Sequence, residues 1–141
     1  RLIDANVMDY DGWSASRNGT APAVDLIPKD IIICDWHYDK RADYPSLRYF
    51  LDKGFRVWQA GWNNVEATQA LIACARREAT ERLLGHLGTT WVLEPGGFAR
   101  ALLGQHDPDR VTPRATQSAA AFRAAMEALA SPAEPRGSIQ P

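Results

Sequence analysis

Three of the five tryptophans in this 141-residue chain recur at a nearly constant interval. Trp36, Trp62 and Trp91 lie 26 and 29 residues apart, about one strand-plus-helix unit each. Each closes a strand-like run: Asp30-Ile31-Ile32-Ile33-Cys34-Asp35-Trp36, Phe55 to Trp62, and Gly85 to Trp91. An indole face stacks on the C–H face of a pyranose ring, while carboxylates and amides at the edge bond the sugar hydroxyls. Trp36, Trp62 and Trp91 are therefore candidates for the walls of a sugar pocket, the alternative being that each only plugs the mouth of a sheet. Around them stand residues suited to the polar edge. Asp35 can accept two sugar hydroxyl hydrogens or balance a buried arginine. His37 and Tyr38 suit hydroxyl or carbonyl recognition, or else belong to a solvent-facing loop. Asp4 is a further candidate rim carboxylate, and Trp13 a candidate cap from the long first loop. Trp58, four residues before Trp62 within the same run, reads as a core or helix-facing side chain.

Other chemistries lack their residues. His86 and His106 have no partners at metal-ligand spacing. There is no G-x-S-x-G, and Gly96-Gly97 is a turn rather than a phosphate loop. No metal and no cofactor is implied. The net charge of −1 leaves no electrostatic footprint for nucleic acid or an anionic membrane. No apolar run approaches the roughly 20 residues of a membrane span. Cys34, inside an apolar run, and Cys74, on a helix, read as small buried hydrophobes.

The elements that must carry these residues follow from pattern and punctuation. Residues 1–20 are irregular, with a turn at Asn18-Gly19, and 21–27 suggest a short helix ended by Pro28. The run 30–36 has no alternation, which reads as a strand buried on both faces, as in a parallel sheet. Its last residues then sit at the carboxyl end, where parallel α/β folds hold ligands. A charged loop, 37–45, leads to a helix over 46–53 capped by Gly54. A second strand covers 55–61. Asn63 and Glu66 have the spacing of a capping box for a helix over 64–84, whose apolar residues Val65, Leu71, Ile72, Ala75, Ala79 and Leu83 keep helical spacing. Gly85 stops that helix, and a third strand runs 86–91. A short helix over 97–103 and a connection over 104–114 follow. An alanine-rich terminal helix, 116–130, offers Phe122, Met126 and Leu129 as its docking stripe. Residues 131–141 read as a disordered tail.

The order β-α-β-α-β-α predicts neighbouring parallel strands joined by right-handed crossovers. Three strands cannot close a barrel, which takes about eight. The opening Arg1-Leu2-Ile3-Asp4 reads as the end of an element already under way. The expected fold is α/β, the C-terminal part of a (β/α)8 TIM barrel. It comprises about three βα units and a stub over 1–104, a connection and terminal helix over 105–130, and the tail over 131–141.

The stretches Asp25 to Tyr38, Tyr44 to Trp58 and Gly85 to Trp91 resemble the carboxyl-terminal part of bacterial family 20 glycoside hydrolases, the β-N-acetylhexosaminidase-like enzymes. The resemblance covers roughly residues 1–95. It implies a barrel that binds a terminal N-acetylhexosamine between tryptophans, with the sugar's own acetamido oxygen attacking the anomeric carbon. It implies an Asp-Glu pair at the end of the fourth strand, which would lie upstream of Arg1, so no catalytic residue is expected within the chain. Trp36, Trp62 and Trp91 would then close strands six, seven and eight. The chain departs from the family pattern in two places. Val92 and Leu93 follow Trp91 where a Trp-x-Glu is common, and Asn63 and Asn64 follow Trp62 where a Tyr-x-Asp is common.

The expected partners are a carbohydrate substrate, N-acetylhexosamine or a related sugar, and the missing amino-terminal barrel portion of the same protein. The fragment alone is expected to be inactive, and both a cytoplasmic and an exported location stay open. Two rivals remain. One is a carbohydrate-binding barrel without catalysis; the other is an independent small α/β domain that assembles through its sheet edges.

Overall fold

The computed structural model describes residues 19–78, 80–91 and 95–131. Asp4 and Trp13 lie outside the described residues, as do the Arg1–Asp4 stub and tail residues 132–141. A 3-10 turn, Ala21–Asp25, precedes strand β1, Ile32–Trp36. Then come helix α1, Pro45–Asp52, strand β2, Arg56–Gly61, helix α2, Val65–Glu78, and strand β3, Leu83–Gly88. Helices α3, Pro95–Leu102, and α4, Pro113–Ala130, complete the described fold. The strands lie in the order β1-β2-β3 and both pairings are parallel.

Local chemistry explains most boundaries. Pro45 and Pro113 occupy the first turn of their helices, where a missing N–H costs nothing. Thr112 caps α4 by accepting from the Ala115 N–H at 3.2 Å. Gly54, at φ 87°, turns the chain out of α1 into β2, a conformation that favours glycine.

Register fixes which side chains face the helices. Ile33 and Asp35 pair with Val57 and Gln59, and Gln59 with His86, so these share the helix-facing side. The main core forms there, where Val57 meets Val24, Tyr44, Leu47, Phe50, Phe55 and Leu71. On the other side, Ile32, Cys34 and Trp36 pair with Arg56, Trp58 and Ala60. On this face Ala60 is buried, whereas Ile32, Cys34, Trp36, Trp58 and Leu84 are exposed.

Several expectations change at this level. The first strand is not covered on both faces by the described residues, because both crossover helices pack on one side. Cys34 is consequently exposed, whereas Cys74 is buried as expected. Trp58 is not helix-facing; it alternates with Val57 and Gln59 and stands 36% exposed on the open face. The capping box does not form. Asn64, not Asn63, caps α2 by accepting from the Ala67 N–H at 3.1 Å, and Glu66 instead meets Lys40 at 3.0 Å. Helix α2 stops at Glu78, and β3 begins at Leu83 rather than 86. Gly85 is no helix stop. It lies inside β3 with φ 110°, where the β2–β3 register shifts between Val57 and Gln59, an irregularity that glycine accommodates. Helix α4 docks by its alanines. Ala115, Ala119, Ala121, Ala124 and Ala125 are buried, while Met126 and Leu129 stay 56% and 48% exposed. Of the expected stripe, Phe122 does dock, packing edge to face on Phe98 at 6.0 Å, and only Met126 and Leu129 fall outside the contact.

Candidate functional site: an aromatic rim at the carboxyl ends of the strands

Trp36 is the last residue of β1, Trp62 follows the end of β2, and Trp91 lies three residues past the end of β3. Backbone pairing beyond the strands holds their exits together. The His37 N–H donates to Ala60 O at 3.0 Å, and the Thr89 N–H donates to Gly61 O at 2.9 Å. The Thr89 hydroxyl donates to the same carbonyl at 2.7 Å. All three exits therefore leave the sheet at one level.

The side chains meet there in a continuous array. Trp36 and Trp91 pack edge to face with centroids 5.7 Å apart. Trp91 Nε1 donates to the Tyr38 hydroxyl at 2.7 Å. The Tyr38 ring meets Trp62 at 5.5 Å, again edge to face. The Arg114 guanidinium lies 5.4 Å from the Trp62 ring centroid, within cation–π range. Half of Trp36 and half of Trp91 is open to solvent, 50% and 51%, whereas Trp62 is more enclosed. The exposed part of the rim is thus the Trp36–Trp91 pair.

Asp35 and His37 do not join this array. Asp35 points to the helix side of the sheet and is only 7% exposed. Its Oδ2 accepts from the Ser46 hydroxyl at 2.8 Å, and its Oδ1 lies 3.2 Å from His37 Nε2. His37 Nε2 also meets the Ser46 oxygen at 2.7 Å. Serine, histidine and aspartate are in contact, yet they do not form a nucleophilic relay. In a relay the aspartate holds one imidazole nitrogen and the serine the other; here both partners converge on Nε2. The cluster ties the end of β1 to the first turn of α1. The loop between them closes around Tyr44, whose buried hydroxyl donates to Asp39 O and accepts from the Arg41 N–H, each at 3.1 Å. Burial holds that phenol above its ordinary pKa. The His37 ring packs 4.9 Å from Tyr44. Asp35, His37, Ser46 and Tyr44 therefore position Tyr38, and Tyr38 positions Trp91.

Of the expected site residues, the structure brings Trp36, Trp62, Trp91 and Tyr38 together and turns Asp35 and His37 into their support. Ser46 and Arg114 went unnoticed in the sequence. Ser46 is an ordinary first-turn residue whose partner lies 11 positions back, and Arg114 reaches Trp62 from a helix that follows all three strands. Among the described residues, no three His, Cys, Asp or Glu side chains are grouped to hold a metal ion. No described helix is long and apolar enough to cross a membrane.

The class defined here is a parallel, sequentially wound α/β unit with an aromatic rim at its strand exits. Compared with protein-family models and with curated proteins, the chain matches none.

Proposed function

We propose that this chain is the carboxyl-terminal part of a (β/α)8 carbohydrate-active barrel, similar to the family 20 glycoside hydrolases, and that its rim binds a pyranose. The observation that carries the reading is the Trp36–Trp91–Tyr38–Trp62 array at the carboxyl ends of three adjacent parallel strands. A perpendicular indole pair offers one face and one edge, which suits a ring with an apolar C–H side and equatorial hydroxyls.

The sheet supports the same reading. Among the described residues its strands run in sequential order with no reversal, and so with no switch-point crevice of the doubly wound kind. Both crossovers place their helices on one face, as the outer ring of a barrel requires. The opposite face carries Ile32, Trp58, Leu84 and Leu87, apolar residues that further strands would enclose as a barrel interior. The edges of β1 and β3 would pair with those strands. In this arrangement the chain supplies binding walls, and the acid–base pair comes from another part of the barrel.

Titration with N-acetylglucosamine, followed by indole N–H shifts in the NMR spectrum, tests the rim. The expected result is saturable movement of the Trp36 and Trp91 signals, abolished by Trp36→Ala, with Trp58 unmoved. Saturable binding that survives Trp36→Ala and Trp91→Ala together would overturn the assignment of the site, as would an absence of binding up to molar sugar.

A further inference from the structure

Behind the rim, on the helix side of the sheet, runs a seam of buried polar groups that the sugar reading does not use. The Trp62 Nε1, Thr68 Oγ1, His86 Nδ1 and Ser118 Oγ atoms are all buried, and none has a hydrogen-bond partner among the described residues; the same holds for both carboxamide atoms of Gln59, which pairs with His86 in the sheet but does not line the cavity described next. Each buried polar group left unpaired costs about 1–3 kcal/mol, and the first four of these residues share one cavity. They come from four separate places: the exit of β2, helix α2, strand β3 and helix α4. All four residues line a single cavity, together with Gly88, Thr89, Thr90, Phe98, Ala121 and Phe122.

Its volume is about 10 Å3, close to the minimum that holds one water. The surroundings are tight beside Gly61 and Gly88. A Cβ on Gly61 would stand 2.9 Å from His86 Cε1 and 3.1 Å from Thr68 Oγ1, and one on Gly88 would stand 2.9 Å from Phe122. Both positions need glycine because the ring of a neighbour occupies the space.

We propose that one ordered water molecule is an integral part of this fold, held by Trp62, Thr68, His86 and Ser118. The donors and acceptors balance. The indole N–H can only donate, so the water accepts from Trp62. A neutral His86 offers Nδ1 as an acceptor, and burial favours that neutral form. Of the two hydroxyls, one donates to the water and the other accepts from it. The water then makes two bonds in each direction, and each of the four protein atoms gains its missing partner. The bridge also fixes Trp62. With its N–H engaged inside, this indole presents only ring surface to Tyr38 and Arg114, so it has no hydrogen bond to give a ligand at the rim.

Water-to-protein cross-relaxation in the 15N-labelled 141-residue chain tests this directly, with Trp62→Phe assigning the indole signal. The expected result is a cross-peak between Trp62 Nε1–H and a water that stays bound longer than surface hydration does. In a folded Thr68→Val/Ser118→Ala variant, two of the four partners are gone; the peak should vanish and the indole proton should move upfield. Lack of the peak in the unaltered chain would overturn the proposal, whatever the variant does. A peak of unchanged intensity in the folded double variant would overturn it equally, since the water would then be held elsewhere.

Discussion

Ser46→Ala probes whether Asp35 supports the rim or belongs to it. The serine hydroxyl supplies one of two contacts to a carboxylate that is 7% exposed, the other being His37 at 3.2 Å. A hydrogen bond to a charged group is worth about 1.5–3 kcal/mol, and an acceptor left short of partners in a buried place loses most of that. His37 remains to compensate in part, which places the expected loss near 2 kcal/mol. With a urea slope of about 2 kcal/mol/M, the unfolding midpoint falls by about 1 M at unchanged slope. Asp35→Ala and the double variant complete a thermodynamic cycle, and its interaction energy should exceed about 1 kcal/mol, well above the 0.3–0.5 kcal/mol scatter of independent sites. A midpoint that moves by less than about 0.2 M in Ser46→Ala, or additive effects in the cycle, would refute the reasoning. The carboxylate would then be directed elsewhere and would regain its place as a candidate acceptor of sugar hydroxyls.

Three further outcomes are expected. Gly61→Ala forces a Cβ against His86 and Thr68; overpacking of this kind costs about 1–3 kcal/mol, read as a lowered urea midpoint, and an unchanged midpoint would show that the imidazole moves aside freely. Burial lowers the His86 pKa below its ordinary value of 6.5, so the unfolded chain takes up a proton more readily than the folded one. Stability attributable to this group is then complete above pH 6.5, declines as the pH falls from there to the folded-state pKa, and declines no further below it. Imidazole C–H shifts of His86 followed by NMR against denaturation midpoints check the match, and a His86 that titrates at or above 6.5 would contradict it. Under native conditions an aromatic disulfide reagent should modify Cys34 quickly, because it stands exposed on the open sheet face. Cys74 is buried and its thiol pKa is raised by that burial, so it should react only on unfolding. Protection of both thiols in the folded chain would indicate that the open face is covered.

How much of this was legible in the sequence depends on the range of the interactions involved. The strands and helices were found in the right order because their signals are local. Ile31-Ile32-Ile33 favours a strand wherever it occurs, and Pro45, Gly54, Pro113 and the alanine run act through their own backbone or immediate neighbours. The interval between Trp36, Trp62 and Trp91 carried further still, since repeated βα units return the chain to the same end of a sheet. Where two local signals conflicted, the sequence misled. Gly85 resembled a helix stop, and only the register of β3 against β2 shows it as a strand irregularity. Asn63, chosen for its spacing to Glu66, gave way to Asn64, because the helix starts at Val65 and the residue before it takes the cap.

The site divided along the same line. That indoles would gather at the strand exits was written in the spacing, because the period of the backbone sets it. The sequence could not say that Asp35 would turn to Ser46 while its neighbour Trp36 turned to Trp91. Alternate residues of a strand face opposite sides, and which side carries the helices is decided only when the crossovers are wound. The tertiary structure alone likewise brought Thr68, His86, Ser118 and Trp62 around one small cavity. Hydrogen-bond satisfaction is a property of the packed chain, and four polar atoms from four elements acquire a shared need only when the sheet and helices close over them.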